Sequence, residues 1–340
     1  MVDIMHAPQR NVVSVILAAG AGTRMRSPDT HKVCYDLAGK PVIVRTIDTL
    51  HRCGIDNHLI VVGRNADQVM RTASELDANI LYCFQPQQRG TGNAARIAMR
   101  RLVSLGFDGD VLIIAGDKVV DHEALIKLMH AFYREEADFA ILVDAINRMA
   151  EAGRVIYSET GQPLGIVESF EISRVKCIRE LTKMCAERDL AAEETERVAI
   201  KYMKKKSKAA LALGSVWDDI EKGRMITTDI LRRTFSLEDA YIQINDTRVD
   251  PDLLYHRVDA NLSIYLSKSK SLFHALSMLT SNNAQQEQYL TETVEILSRE
   301  NARVITVPVD RSEQVMSFNT PEELETIRTY YIEHGERLDG

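Results

Sequence analysis

Short apolar runs alternate with stretches of helical period along the first half of the chain. Residues 12–19 form a nearly unbroken apolar run, the pattern of a strand buried on both faces of a parallel sheet. Similar runs recur at 58–63, 79–84, 111–115 and 139–144, with a shorter one at 154–157. Between them, 41–54 predicts a helix that Pro41 starts, Gly54 closes, and Ile43, Ile47 and Leu50 line on one face. Further helices are predicted at 65–76, with Asn65 as N-cap, at 91–105 and at 121–134. Strands alternating with helices predict an α/β fold with an open, mostly parallel sheet, whose ligands bind beyond the carboxyl ends of the strands.

The texture changes near Ser169. From there the chain is rich in charge and helix formers, with Ile172, Val175, Ile178, Leu181 and Cys185 at helical spacing. A basic triplet, Lys204-Lys205-Lys206, reads first as a solvated face, and Trp217 is the only tryptophan. Strand character returns at 258–266, helices follow at 268–279 and 286–299, and 303–308 is a strand. The last helix, 321–333, has Thr320 as N-cap, Pro321 at its first position and Glu323 as the second half of a capping box. The expected organisation is a core of residues 1–168 plus 258–340, with 169–257 an inserted, mostly helical subdomain. Such an insertion is tolerated when its ends are close, so Glu168 and Val258 are expected near each other.

Composition narrows the partners. A chain of 340 residues fits two domains, or one large domain with an insertion, at roughly 100–200 residues each. A net charge of -7 disfavours nucleic acid as partner, because phosphate backbones select basic faces. It leaves a single nucleotide open, which needs only local cations and amides. Five cysteines without a CxxC pair fit neither a disulfide framework nor a zinc site, so a reducing cytoplasm is expected. No apolar run reaches the length of a membrane span.

Four places carry chemistry. Leu17-Ala18-Ala19-Gly20-Ala21-Gly22-Thr23-Arg24-Met25 leaves the first strand through small residues, so backbone N–H groups can face a phosphate chain while Arg24 adds a fixed cation. It is neither a Walker loop nor a full dinucleotide fingerprint, since Met25 stands where the third glycine belongs. Lys32 follows as a second candidate cation for transferring phosphates. In Gln85-Pro86-Gln87-Gln88-Arg89-Gly90-Thr91-Gly92-Asn93, the amides can read a base edge and the glycines let backbone approach a flat ring. Asp117, after the run at 111–115, can hold magnesium, and Asn319 can add a neutral oxygen to the same ion. Each has an ordinary alternative: a tight turn, a surface lysine, a plain loop, or an aspartate or asparagine in a turn.

Together these segments resemble the N-acetylglucosamine-1-phosphate uridylyltransferase family, the pyrophosphorylase half of a bifunctional bacterial enzyme. The likeness runs through 17–25, Lys32-Val33, 37–41, 85–94, Gly116-Asp117, Gly153-Arg154, 165–168, Asn261, Ile264-Tyr265, 288–292 and 319–324. The resemblance implies a Rossmann-like open mixed sheet of the nucleotidyltransferase, GT-A-like, type. It implies that Arg24 and Lys32 bind and polarise phosphates, and that Leu17, Ala19, Gly20, Gly22, Gln85, Gln88, Gly90 and Thr91 hold the nucleotide. It implies Asp117 and Asn319 as magnesium ligands, and Gly153, Glu168 and Asn261 as the sugar pocket.

The implied reaction is transfer of uridylyl from UTP to N-acetylglucosamine 1-phosphate with release of pyrophosphate, through in-line attack and without a protein nucleophile. The partners are then a nucleoside triphosphate and a sugar phosphate, not nucleic acid or membrane, with homo-oligomerisation or docking through the insertion left open. The chain departs from the family pattern at His31 (proline in the family), Asn93 (histidine), Ala115 (tyrosine), Lys118-Val119-Val120 and Glu168-Ser169-Phe170-Glu171. The acetyltransferase half, a hexapeptide-repeat helix, is not among these residues. Another phosphorylated sugar or alcohol as acceptor remains an alternative, and so does a non-catalytic nucleotide sensor in which Lys118 supplies the charge of a metal. A nicotinamide dehydrogenase is disfavoured by the missing third glycine.

Overall fold

The computed structural model describes residues 11–20, 22, 25, 30–145, 152–252, 254 and 259–338, the last four by backbone alone. The chain divides into two compact units, one of residues 1–146, 261–280 and 288–340, the other of 147–260 and 281–287.

The first unit begins with β1 (Val12–Ala18), the short pair β2 (Asp36–Leu37) and β3 (Lys40–Pro41), and α1 (Val42–Arg52). It continues through β4 (Asn57–Val62), α2 (Ala66–Ala73), β5 (Asn79–Phe84), α3 (Thr91–Ser104), β6 (Asp110–Ala115), β7 (Lys118–Val120), α4 (His122–Arg134) and β8 (Phe139–Asp144). The second unit holds β9 (Arg154–Tyr157), β10 (Pro163–Val167), α5 (Ser169–Glu187), α6 (Ala192–Met203), α7 (Lys206–Leu213), α8 (Ser215–Glu221), α9 (Thr228–Thr234), β11 (Ile242–Ile244) and β12 (Thr247–Val249). The first unit is completed by β13 (Ala260–Lys268), α10 (Ser269–Met278), α11 (Glu292–Arg299), β14 (Val304–Pro308), β15 (Val315–Ser317) and α12 (Pro321–Leu338).

In the first unit β1 lies between β4 and β6, parallel to both, and β5 extends the parallel set beyond β4. β13 joins β6 antiparallel, and β8 pairs with both β13 and, in parallel, β14. Val15 and Ile16 of β1 are fully buried, which is why that run carries almost no polar residue. Its exception is Ser14, which sits opposite His58 of β4, with its Oγ 2.8 Å from Nδ1. Burial pushes the His58 imidazole down to about 4; Asp56 opposes that shift and His51 adds to it.

In the second unit α5 to α9 close around Leu181, Leu190, Ala199, Leu213, Val216 and Trp217, whose Nε1 donates to Glu221 at 2.8 Å. A second cluster packs Ile156 of β9 and Val167 of β10 against Ile172 and Val175 of α5 and Ile242 and Ile244 of β11. β9 and β10 therefore group with the helices, and the division falls at 147 and 260 rather than at 169 and 257. Val258 lies outside the described residues. Among the described residues no helix is long and apolar enough to cross a membrane.

Two local expectations change. Asn65 stands at the start of α2 in the left-handed region (φ 61°) and makes no side-chain cap; its carbonyl accepts from the Gln68 amide at 3.2 Å instead. The helix expected from residue 286 begins only at Glu292, because Gln286 has φ 55° and Gln288 is held by backbone bonds to Arg89 and Gly92.

Candidate nucleotide site

The carboxyl end of β6 is tied to β1 where the Gly116 amide donates to the Leu17 carbonyl at 2.9 Å. The chain then enters β7, which pairs antiparallel with β15 so that Lys118 faces Ser317. Asp117 and Asn319 flank this pairing, and both meet Lys32. Its Nζ forms a short ion pair with Asp117 Oδ2 and donates to Asn319 Oδ1 at 3.1 Å. Lys32 belongs to a single 3₁₀ turn, Lys32–Cys34, that begins at His31, whose Nδ1 accepts from the Val33 amide at 3.4 Å. Its ammonium also lies 5.1 Å from the ring centroid of the fully buried Phe318. Gly22 (φ 57°) passes so close that a Cβ there would stand 3.1 Å from Lys32 Cβ.

The electrostatics follow from this crowding. Burial would raise the Asp117 carboxyl, but Lys32 and Lys118 outweigh it and hold the group below the usual carboxylate range. Burial pushes the Lys118 ammonium down, Asp117 opposes that shift and Lys32 adds to it. Glu323 sets the other partner: its Oε2 accepts from the Asn319 amide at 2.5 Å, while its own amide donates to Thr320 Oγ1 at 3.2 Å. The expected capping box thus closes one residue earlier than Thr320 and fixes Asn319 at the same time.

Two oxygens aimed at one cationic nitrogen, one from a carboxylate and one from an amide, are hard donors suited to magnesium. That ion takes few protein oxygens and completes its shell with phosphates and water. Among the described residues no group of three or more His, Cys, Asp or Glu side chains could hold a metal by itself.

The loop after β5 is built from amides and backbone. Gln85 is 5% exposed, and its Nε2 donates to the Gly90 carbonyl at 3.3 Å and to Asn93 Oδ1 at 3.0 Å. Asn93 Nδ2 donates onward to Gln288 Oε1 at 3.2 Å. Gln88 Nε2 donates to the Ala19 carbonyl at 2.9 Å, which joins this loop to the turn after β1. Gly90 has φ 95°, and a Cβ there would fall 2.4 Å from the Gln288 carbonyl. The Gln288 backbone is locked from both sides: its amide donates to Arg89 and its carbonyl accepts from Gly92, each at 2.8 Å. Thr91 Oγ1 accepts from the Leu290 amide at 3.1 Å.

The first unit therefore brings together Leu17, Ala19, Gly20, Gly22, Lys32, Asp117 and Asn319 at the carboxyl ends of β1 and β6, and Gln85, Gln88, Gly90 and Thr91 after β5. Arg24 lies outside the described residues. In the second unit Gly153 and Glu168 are neighbours, a Cβ on Gly153 standing 3.8 Å from Glu168 Oε2. Asn261 spends its side chain inside its own strand. Nδ2 donates to the Tyr265 hydroxyl at 2.7 Å, and Oδ1 accepts from Ser263, which takes φ 58°.

A mixed α/β sheet with a glycine-bearing segment after its first strand, a carboxylate after the central strand and an amide-lined loop after β5 fits the nucleotidyltransferase class. The chain belongs to the family described as the MobA-like NTP transferase domain, whose model matches residues 14–202, more than half of its length. It is similar to the bifunctional protein GlmU of Neisseria gonorrhoeae, 36% identical over 176 residues, which is 51% of this chain and 36% of that protein. The GlmU of Acetivibrio thermocellus is 25% identical over 309 residues, 91% of this chain and 49% of its own length. The chain thus spans about half the length of these curated relatives, or less. Among solved structures, a putative glucose-1-phosphate thymidylyltransferase from Bacillus anthracis in complex with a sucrose aligns with a TM-score of 0.58 over 94% of this chain and 95% of that one. At 13% identity that match speaks for the fold alone.

Proposed function

We propose that this chain transfers uridylyl from UTP to a sugar 1-phosphate, N-acetylglucosamine 1-phosphate, and releases pyrophosphate, acting in the cytoplasm. The observation that carries the proposal is Lys32 Nζ held between Asp117 and Asn319 at the end of the central strand. A lysine ammonium seated there is aimed where phosphate charge would gather. Arg24, eight residues earlier in sequence, is assigned the same task. Asp117 and Asn319 would hold magnesium, which on binding would neutralise phosphate charge. Lys32 would then exchange its contact with Asp117 for phosphate oxygens, and Glu323 would keep Asn319 in place. Gln85, Gln88, Gly90 and Thr91 would orient the base, with Leu17, Ala19, Gly20 and Gly22 lining the turn beneath the nucleotide. Gly153, Glu168 and Asn261 are assigned to the sugar; for Asn261 the part is indirect, since its amide already braces Ser263 and Tyr265.

Ala115 favours a second acceptor. Where the resembling family carries a large aromatic it leaves only a methyl group, which suits another sugar phosphate or phosphorylated alcohol. The test is pyrophosphate release from UTP, CTP, GTP and ATP against a panel of sugar 1-phosphates and polyol phosphates, with products identified by mass. UDP-N-acetylglucosamine as the favoured product supports the proposal. Another nucleotide–acceptor pair as the favoured product moves it to the second reading, and no release with any pair sinks both.

A further inference from the structure

Asn93 stands where the resembling family has histidine, and Gln288 opens a motif to which no role has been given. Both belong to one directed chain of hydrogen bonds. Its direction is anchored by the Gly90 carbonyl, which can only accept, so the atom of Gln85 that meets it is Nε2. The same Nε2 meets Asn93, which must therefore present Oδ1 to it and turn Nδ2 toward Gln288 Oε1. Gln288 is in turn held by its backbone to Arg89 and Gly92. The consequence falls on the remaining atom of Gln85: among the described residues none donates to its Oε1.

We propose that Asn93, backed by Gln288, is a positioning residue that fixes the polarity of the Gln85 amide, so that the site selects a base whose ring edge donates an N–H. This rests on the placement of the base beside Gln85. Uracil carries such a donor at N3. Cytosine carries a lone pair there, and two acceptors facing each other repel. A side chain at 93 that cannot accept leaves Gln85 Nε2 with Gly90 alone and frees the amide to turn over.

The test measures binding rather than turnover: calorimetric titration of the intact chain with UTP and with CTP, magnesium present. The wild type is expected to favour UTP. Asn93→Leu should lower the UTP-to-CTP affinity ratio about tenfold, since an unmatched polar edge is what the ratio reports. Asn93→Asp still offers an acceptor to Gln85, and Gln288→Glu still accepts from Asn93, so both should hold the ratio within about threefold. If Asn93→Leu fails to fold, Gln288→Lys, which donates toward Asn93 and would reverse its amide, is expected to lower the ratio instead. In turnover the change should appear in KM for UTP, with kcat moved less than about threefold. A wild type indifferent to the base, or Asn93→Leu or Gln288→Lys with an unchanged ratio, overturns the proposal. UTP preference without product from any sugar phosphate would instead fault the proposed transfer and leave this inference standing.

Discussion

At the phosphate end of the candidate site, Lys32, Asp117 and Asn319 meet through an ion pair and a charge-assisted hydrogen bond, with Lys118 close by. At the base end, Gln85, Gly90, Asn93 and Gln288 meet through neutral amides and backbone, while the Arg89 guanidinium of the same loop is turned to Gln87. On the proposed function, the difference follows from what each end would recognise. A polyphosphate is recognised by magnitude and sign of charge, which a flexible lysine supplies from a range of positions. A base edge is recognised by the order of donors and acceptors, so its readers must be prevented from turning over. Removal of charge should therefore damage the first end most, and loss of rigidity the second.

The largest effect is expected at Lys32. Lys32→Ala should lower kcat by roughly 10²- to 10³-fold, on the order of 3–4 kcal/mol, in steady-state pyrophosphate release by a folded variant. Arg24→Ala should fall in the same range. Turnover at the wild-type level in both would remove the charge side of the contrast. Next comes Gly90→Ala, whose Cβ meets the Gln288 carbonyl at 2.4 Å in a backbone conformation with φ 95°. It should cost about 2–3 kcal/mol of stability by urea denaturation and weaken UTP binding with it. Wild-type stability would show that residue 288 yields freely, so that the base end is not held by backbone.

Glu323→Ala should be milder, about 1 kcal/mol, because it removes one cap and leaves Asn319 its place in the chain. A matching drop in turnover without a change in UTP-to-CTP ratio would keep the effect at the phosphate end. The smallest change is expected from salt. Raising ionic strength from about 0.05 M to about 0.5 M should raise KM for UTP roughly threefold and leave the base ratio alone, because only the charged end is screened. A base ratio that shifts with salt would mean the two ends are not separable.

The parallel strands were legible in the sequence because burial on both faces leaves an apolar run, as in β1, β4 and β6. Lys32, Asp117 and Gln85 were picked out as candidates because they stand near glycine-bearing segments that follow apolar runs. The pairing of β7 with β15 was not: three-residue strands show no period, and their partner is set by what folds around them rather than by either segment. For the same reason Asp117 and Asn319 were matched by their chemistry, while the link from Glu323 to the Asn319 amide was missed. Helical spacing ran 286–299 into one helix, but it is blind to backbone bonds that tie Gln288 to Arg89 and Gly92. Asn93 read as a departure because its value lies in an amide that both accepts and donates, which neither burial nor spacing reveals.

The short strand β15 has a consequence for the order in which the protein becomes competent during synthesis. Lys32 and Asn319 are separated by 287 residues, and Asn93 and Gln288 by 195. The sheet strands β1, β4, β5 and β6 leave the ribosome long before either partner exists, and contacts this distant in sequence form late because loop closure precedes any gain from them. A nascent chain can thus hold the Lys32–Asp117 pair while lacking both Asn319 and Gln288. It would present cations to a triphosphate with neither the second magnesium oxygen nor the lock on Gln85, so affinity for phosphate would mature before selectivity for the base.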